Sequence, residues 1–192
     1  MPSWTEAQAA LSGLGRLLRF DATFAQWFDR SPAGSLRSFG LMIPMVPLFL
    51  ILRFTEGDIA PDAIAFRVIS VTLINYVLSW VMFPLILIVI GRAIEREPQA
   101  IGAIGCYNWY GFMLAVIASG LVLLNAAGIL GGVMAILTHL FLLASLVYEA
   151  YMLRVLMGIG YGGGALLAIL DYVLTYSLYI LLMSPVMAQP PA

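Results

Sequence analysis

Three ionisable residues stand out because of where they lie. Glu149 is near the end of one long apolar stretch, Arg154 follows it, and Asp171 is about two helical turns into the next stretch. If the two stretches are antiparallel helices, all three share one end of the pair. An ionisable group at bilayer depth costs several kcal/mol, so it faces the interior and takes a partner. One reading is a proton- or cation-handling site. The other is a structural ion pair, with Arg154 neutralising one of the acids and snorkelling to the headgroups. Arg154 is close enough to the end of its segment to make the ion pair the expectation.

The remaining polar residues in apolar surroundings are fewer. His139, beside Thr138, could shuttle protons near neutral pH. No second His and no nearby Cys or carboxylate pattern completes a metal site, so an interhelical hydrogen bond is the expectation. Tyr107, Asn108 and Trp109 interrupt an apolar run. They are read either as a ligand-facing break or, preferably, as interfacial-belt aromatics with Asn108 bonding a neighbouring helix. Asn75 is the mid-membrane polar group of its stretch, with Tyr76 and Trp80 as packing residues. The glycines from Gly158 to Gly164 follow no strand, so they form a turn rather than a dinucleotide fingerprint. Gly128 and Gly132 have the spacing that lets helices approach closely. Cys106 is the single cysteine. No nucleophile, base and oxyanion constellation assembles and no cofactor is implied, so a non-enzymatic protein is expected.

The elements that position these residues follow from composition. Of 192 residues, 62% are hydrophobic and 10% charged, and mean hydropathy is +1.01. Soluble domains average roughly 45–50% apolar and about 25% charged. The chain therefore seeks lipid, and the expected fold is an all-α, polytopic integral membrane protein. A net charge of −1 gives no case for nucleic acid. The organising feature is an apolar hairpin over residues 68–125, joined by a charged turn at 91–99.

Residues 1–34 are read as an amphipathic segment, not a span. Leu11, Leu14, Leu17, Leu18, Phe20, Phe24, Trp27 and Phe28 recur at helical steps with arginines and aspartates between them. Two short helices are expected, with Asp21 as a cap between them, lying on the membrane interface or on the domain's own cytoplasmic face. No cleaved signal peptide is expected. The domain of five spans covers 35–188, and 189–192 is a tail. The spans are expected near 38–54, 67–90, 101–124, 129–153 and 165–187. Pro44 and Pro47 should kink the first and Pro84 the second. The stretch 55–62 is a polar turn.

The basic residues are all arginine. An inside amino terminus puts Arg16, Arg19, Arg30, Arg37, Arg92, Arg96 and Arg154 in the cytoplasm and leaves Arg53 and Arg67 outside, which satisfies the positive-inside rule. The carboxy terminus is then periplasmic.

The layout resembles the Yip1-type membrane proteins and small bacterial inner-membrane proteins of that general type. The likeness rests on Trp80 with Phe83 and Pro84, on Tyr107-Asn108-Trp109, and on Tyr148-Glu149 leading to Arg154 and Gly158. It covers roughly residues 31–187, and these motifs are short. It implies a cytoplasmic amino-terminal region followed by five closely spaced helices. The eukaryotic relatives act in vesicle trafficking through protein partners and membrane shaping, so a scaffold-like role is what carries over. The amino-terminal region here leaves little room for a partner-binding domain. The expected partners are membrane lipids and a protein partner or second copy of the chain. The competing class is a small transporter or channel component, with Asn75, Asn108, His139, Glu149 and Asp171 lining a polar path. Convergence of these residues on one cavity would favour transport; dispersal with separate partners would favour the scaffold.

A reporter fused to the carboxy terminus and active only outside the cytoplasm should be active. Activity of a cytoplasm-only reporter instead would overturn the orientation or the span count.

Overall fold

The computed structural model describes residues 1–55 and 66–187. The polar turn after Thr55 and the tail lie outside the described residues. All described elements are helical: α1 (Trp4–Leu17), α2 (Pro32–Ser38), α3 (Met42–Thr55), α4 (Phe66–Ala93), α5 (Glu97–Ala126), α6 (Met134–Met157) and α7 (Tyr161–Met187), with short 3-10 turns between some of them. Five helical stretches are long and apolar enough to cross a membrane: Pro32–Ile51, Ile69–Ala93, Glu97–Ala126, Gly131–Met157 and Tyr161–Ser184. This is the all-α polytopic architecture expected.

Local chemistry sets the amino-terminal part. Ser3 and Glu6 form a capping box on α1: Ser3 N–H donates to Glu6 Oε2 (2.7 Å) and Glu6 N–H to Ser3 Oγ (3.2 Å). Asp21 caps the 3-10 turn Ala22–Trp27 by accepting from Thr23 N–H at 2.9 Å. The second short helix of this segment is therefore a 3-10 turn. Ser31 caps α2, with Pro32 in the first turn, where a missing N–H costs nothing.

The first stretch long and apolar enough to cross begins in α2, earlier than the sequence suggests, and reaches α3 through the 3-10 turn Phe39–Leu41. Pro47 is inside α3 and Pro84 inside α4, and both helices continue through them. Neighbours must then satisfy the carbonyls that the prolines leave free. Helix α5 likewise runs unbroken through Tyr107, Asn108 and Trp109. The glycine-rich connector shrinks to Gly158–Gly160, because Gly162, Gly163 and Gly164 form the first turn of α7.

Helix α1 packs on the bundle itself. Ala10, Leu14 and Leu17 are buried against the bundle. Tyr148 Oη donates to Leu18 O (3.2 Å) and Tyr151 Oη to Phe20 O (2.6 Å). Arg37 joins Glu6 at 2.7 Å and also pairs with Asp29, tying α1 to α2. The carboxyl of Glu6 is held below its usual range, first by the Ser3 N–H and then by Arg37. The segment is thus a collar on one end of the bundle. Trp4 and Leu11 still remain 77% and 66% exposed, so its outer face is apolar as well.

The core sits at the collar end. Leu17 and Phe24 from the collar meet Leu87 of α4, Ala103 of α5, Leu153 of α6 and Leu167 of α7. Two arginines close the carboxy terminus of α6: Arg30 Nη2 donates to Leu156 O (3.2 Å) and Arg96 Nη1 to Met157 O (2.9 Å). They serve the last carbonyls, where the helix dipole favours cations. Gly158 ends α6 with φ +62°, and a Cβ there would lie 2.6 Å from Arg96 Nη1. Farther from the collar, Ile136, Leu140, Leu143 and Val147 of α6 are exposed, as a lipid-facing ridge requires.

Helix α6 packs most extensively on α7. They approach closely at Gly164, where a Cβ would collide with the backbone oxygen of Ala150 and lie 2.9 Å from Arg154 Cβ. The spacing of Gly128 and Gly132 is not used this way, since a Cβ at either meets nothing within 4 Å.

Gly164→Ala should destabilise the protein by about 1–3 kcal/mol through overpacking. Gly15→Ala, in open space on α1, should be neutral or slightly stabilising, because alanine is the better helix former. Thermal unfolding in detergent reads both. A Gly164→Ala protein that melts like the parent would contradict the close approach.

Candidate functional site: a buried carboxyl pair

Helices α6 and α7 run antiparallel from the Gly158–Gly160 turn. Glu149 precedes the end of α6 by about 12 Å and Asp171 follows the start of α7 by about 15 Å, at 1.5 Å per residue. They therefore meet at the same level. Their relative exposures are 7% and 8%, and their carboxyl groups lie against each other. Tyr107 Oη donates to Asp171 Oδ2 at 2.8 Å, and Thr175 Oγ1 lies 3.5 Å from Asp171 Oδ1. Glu149 Oε1 is buried without a hydrogen-bond partner. Phe83 packs on the Tyr107 ring, centroids 5.0 Å apart.

The arginine expected here is elsewhere. Arg154 lies over the Tyr161 ring, 3.8 Å from its centroid. Among the described residues no ion pair joins it to either acid. The reason is register: Arg154 is five residues beyond Glu149, more than a turn nearer the helix end, where an aromatic ring on the facing helix start is within reach. The Arg154 ion pair expected from sequence is thus replaced by a carboxyl–carboxyl contact. Two carboxylates have no donor to offer each other, so a hydrogen bond between such groups forms only when one of them carries a proton. Chemically, the pair with the Tyr107 hydroxyl can hold and pass a proton. Among the described residues no group of three His, Cys, Asp or Glu side chains could hold a metal ion.

The other candidates are dispersed. Asn108 is buried and donates from Nδ2 to Ser38 Oγ at 2.8 Å, while Ser35 Oγ donates to Ile101 O at 2.6 Å. These bonds fasten α2 to α5. Tyr107 and Asn108 therefore belong to the interior and not to an aromatic belt, because both side chains have polar partners inside the bundle. His139 is exposed, and its Nδ1 bonds Ala135 O of its own helix at 2.7 Å, in place of the interhelical bond expected. Asn75 is buried and lines a separate cleft with Tyr76 and Trp80. Of the six residues singled out, the structure brings together Glu149 and Asp171.

Sequence reasoning missed Tyr107 and Thr175 as the partners of Asp171. Thr175 was in principle accessible, since it lies four residues on and shares the Asp171 face. Tyr107, on a helix distant in sequence, carried no such signal.

Asp171→Asn should leave the melting temperature in detergent nearly unchanged, because the amide can accept from Tyr107 and donate to Glu149. Asp171→Ala leaves Glu149 and Tyr107 without their partner and should cost about 1–3 kcal/mol. Arg154→Met, losing a cation–π contact, should cost less than about 1 kcal/mol. A loss in Arg154→Met as large as in Asp171→Ala would restore the ion pair.

No protein-family model matches this chain, and no curated protein and no solved structure is significantly similar to it.

Proposed function

We propose that this chain is a non-enzymatic, multi-pass membrane scaffold or interaction protein of Yip1-like build. Its arginine-rich collar end faces the cytoplasm of a bacterial inner membrane, and its carboxy terminus is periplasmic. The observation that carries this reading is the dispersal of the polar side chains. Asn108 is engaged with Ser38, His139 with its own helix, Arg154 with Tyr161, and Arg30 and Arg96 with the end of α6. Each is engaged with the bundle's own backbone or side chains, as a rigid platform needs. The exposed ridge of α6 offers lipid, a protein partner or a second copy of the chain a surface to pack against.

A second reading is favoured by one observation. The Glu149–Asp171 pair lies at bilayer depth and, among the described residues, forms no ion pair with a cation, and ionisable groups so placed often belong to proton or ion pathways. A small proton-coupled carrier would use it.

One experiment separates the two. Purified protein is reconstituted in liposomes carrying a pH gradient, and mildly extracted membranes are run on native gels. The scaffold reading expects the gradient to decay as in protein-free liposomes and the chain to migrate in a discrete complex. A monomer that speeds the decay, with the effect lost in Glu149→Gln and Asp171→Asn, would replace the scaffold with the carrier.

A further inference from the structure

Helix α1 lies along the side of the bundle. Its amino-terminal end packs beside Trp109 and Phe112, about 18 and 22 Å from the start of α5 at 1.5 Å per residue. Just past its other end, Leu18 O and Phe20 O accept from Tyr148 and Tyr151, about 14 and 9 Å short of the end of α6. With its 30 residues, α5 is about 45 Å long, the thickness of a bilayer with its headgroups. Helix α1 therefore runs alongside the spans, within the depth of one leaflet, and not beyond their ends.

At about 100° per residue α1 has three faces. Ala10, Leu14 and Leu17 are buried against the bundle. Trp4, Leu11 and Leu18 form an exposed apolar stripe, about a quarter turn around the helix from that buried face. Thr5, Gln8, Ser12 and Arg16 occupy the next quarter.

Two grooves fix which way the stripe points. Trp4 and Ala7 share one with Gly40, Pro44 and Phe112. Thr5, Glu6 and Ala9 share the other with Gly34, Arg37 and Gly105. Along both the first crossing stretch and α5, the residues of the first groove lie farther from the collar end than those of the second. The stripe thus faces the acyl chains, and the polar quarter faces the headgroups and water.

We propose that α1 is held by a phospholipid leaflet as well as by the bundle, with Trp4, Leu11 and Leu18 among the acyl chains. Amphipathic helices of this kind settle at the headgroup–acyl boundary, where Trp is favoured. Arg19 is exposed just past the helix and joins no ion pair among the described residues, which leaves it to meet a lipid phosphate. A soluble partner would have to enter the leaflet to reach the stripe. The placement holds whichever side of the membrane the collar faces.

The test uses the full chain in vesicles of phosphatidylethanolamine and phosphatidylglycerol. A nitroxide is attached at Leu11→Cys or at Ser12→Cys; both positions are exposed, and Cys106 is buried away from the label. Power-saturation electron paramagnetic resonance then compares relaxation by oxygen, which concentrates in acyl chains, with relaxation by a water-soluble nickel chelate. The Leu11 site should respond several-fold more to oxygen than to nickel, and the Ser12 site more to nickel than to oxygen. A Leu11 site that responds mainly to nickel would put the stripe in water. One that responds to neither would mean that protein, such as a second copy of the chain, covers it. Either result, or an oxygen-dominated Ser12 site, would overturn the proposal.

Discussion

The contact between α6 and α7 combines a steric and a chemical constraint, and both must be met at one register. Gly164 lets the backbones approach until a methyl group would collide with Ala150 O. That approach brings Glu149 and Asp171 face to face, with Tyr107 reaching in from α5. A one-residue slip would separate the acids and drive a side chain into a carbonyl. Close packing and polar satisfaction therefore select the same arrangement.

The cations are committed elsewhere, which explains why the acids have each other. Arg30 and Arg96 serve the carbonyl end of α6, Arg37 ties α1 to α2, and Arg154 lies on Tyr161. All of these lie toward the collar. The arrangement makes that end of the bundle the rigid one, with a continuous core from Leu17 and Phe24 through to Leu167. The far halves of the helices present apolar ridges to lipid and leave a cleft between α3 and α7.

Much of this architecture was legible in the residues. Apolar run length alone marked five crossings, and Asp21 marked the cap between the collar's two short helical pieces, whereas the Ser3–Glu6 box came only with the structure. One boundary differed: the first candidate crossing reaches back to Pro32 because Ser31 and Pro32 start a helix there that hydropathy alone does not separate from its flank. Gly162, Gly163 and Gly164 were misread as connector because glycine's helix penalty is offset by the close packing it permits. The site was half legible. Glu149 and Asp171 stood out as buried acids, but Arg154 was nearer in sequence than Tyr107, and sequence distance carries no information about a contact made across three helices. Asn75 was visible as a polar residue in a span, but its place on an aromatic cleft depends on how α3 and α7 diverge.

The most direct test of the account is a set of double-mutant cycles on unfolding free energy in detergent, pairing Glu149→Ala, Asp171→Ala and Arg154→Met. Residues in contact show coupling energies of about 0.5 kcal/mol or more, whereas independent sites add. The account predicts measurable coupling between Glu149 and Asp171, and additivity of Arg154 with each of them. Coupling of Arg154 to either acid, with additivity between the acids, would contradict it.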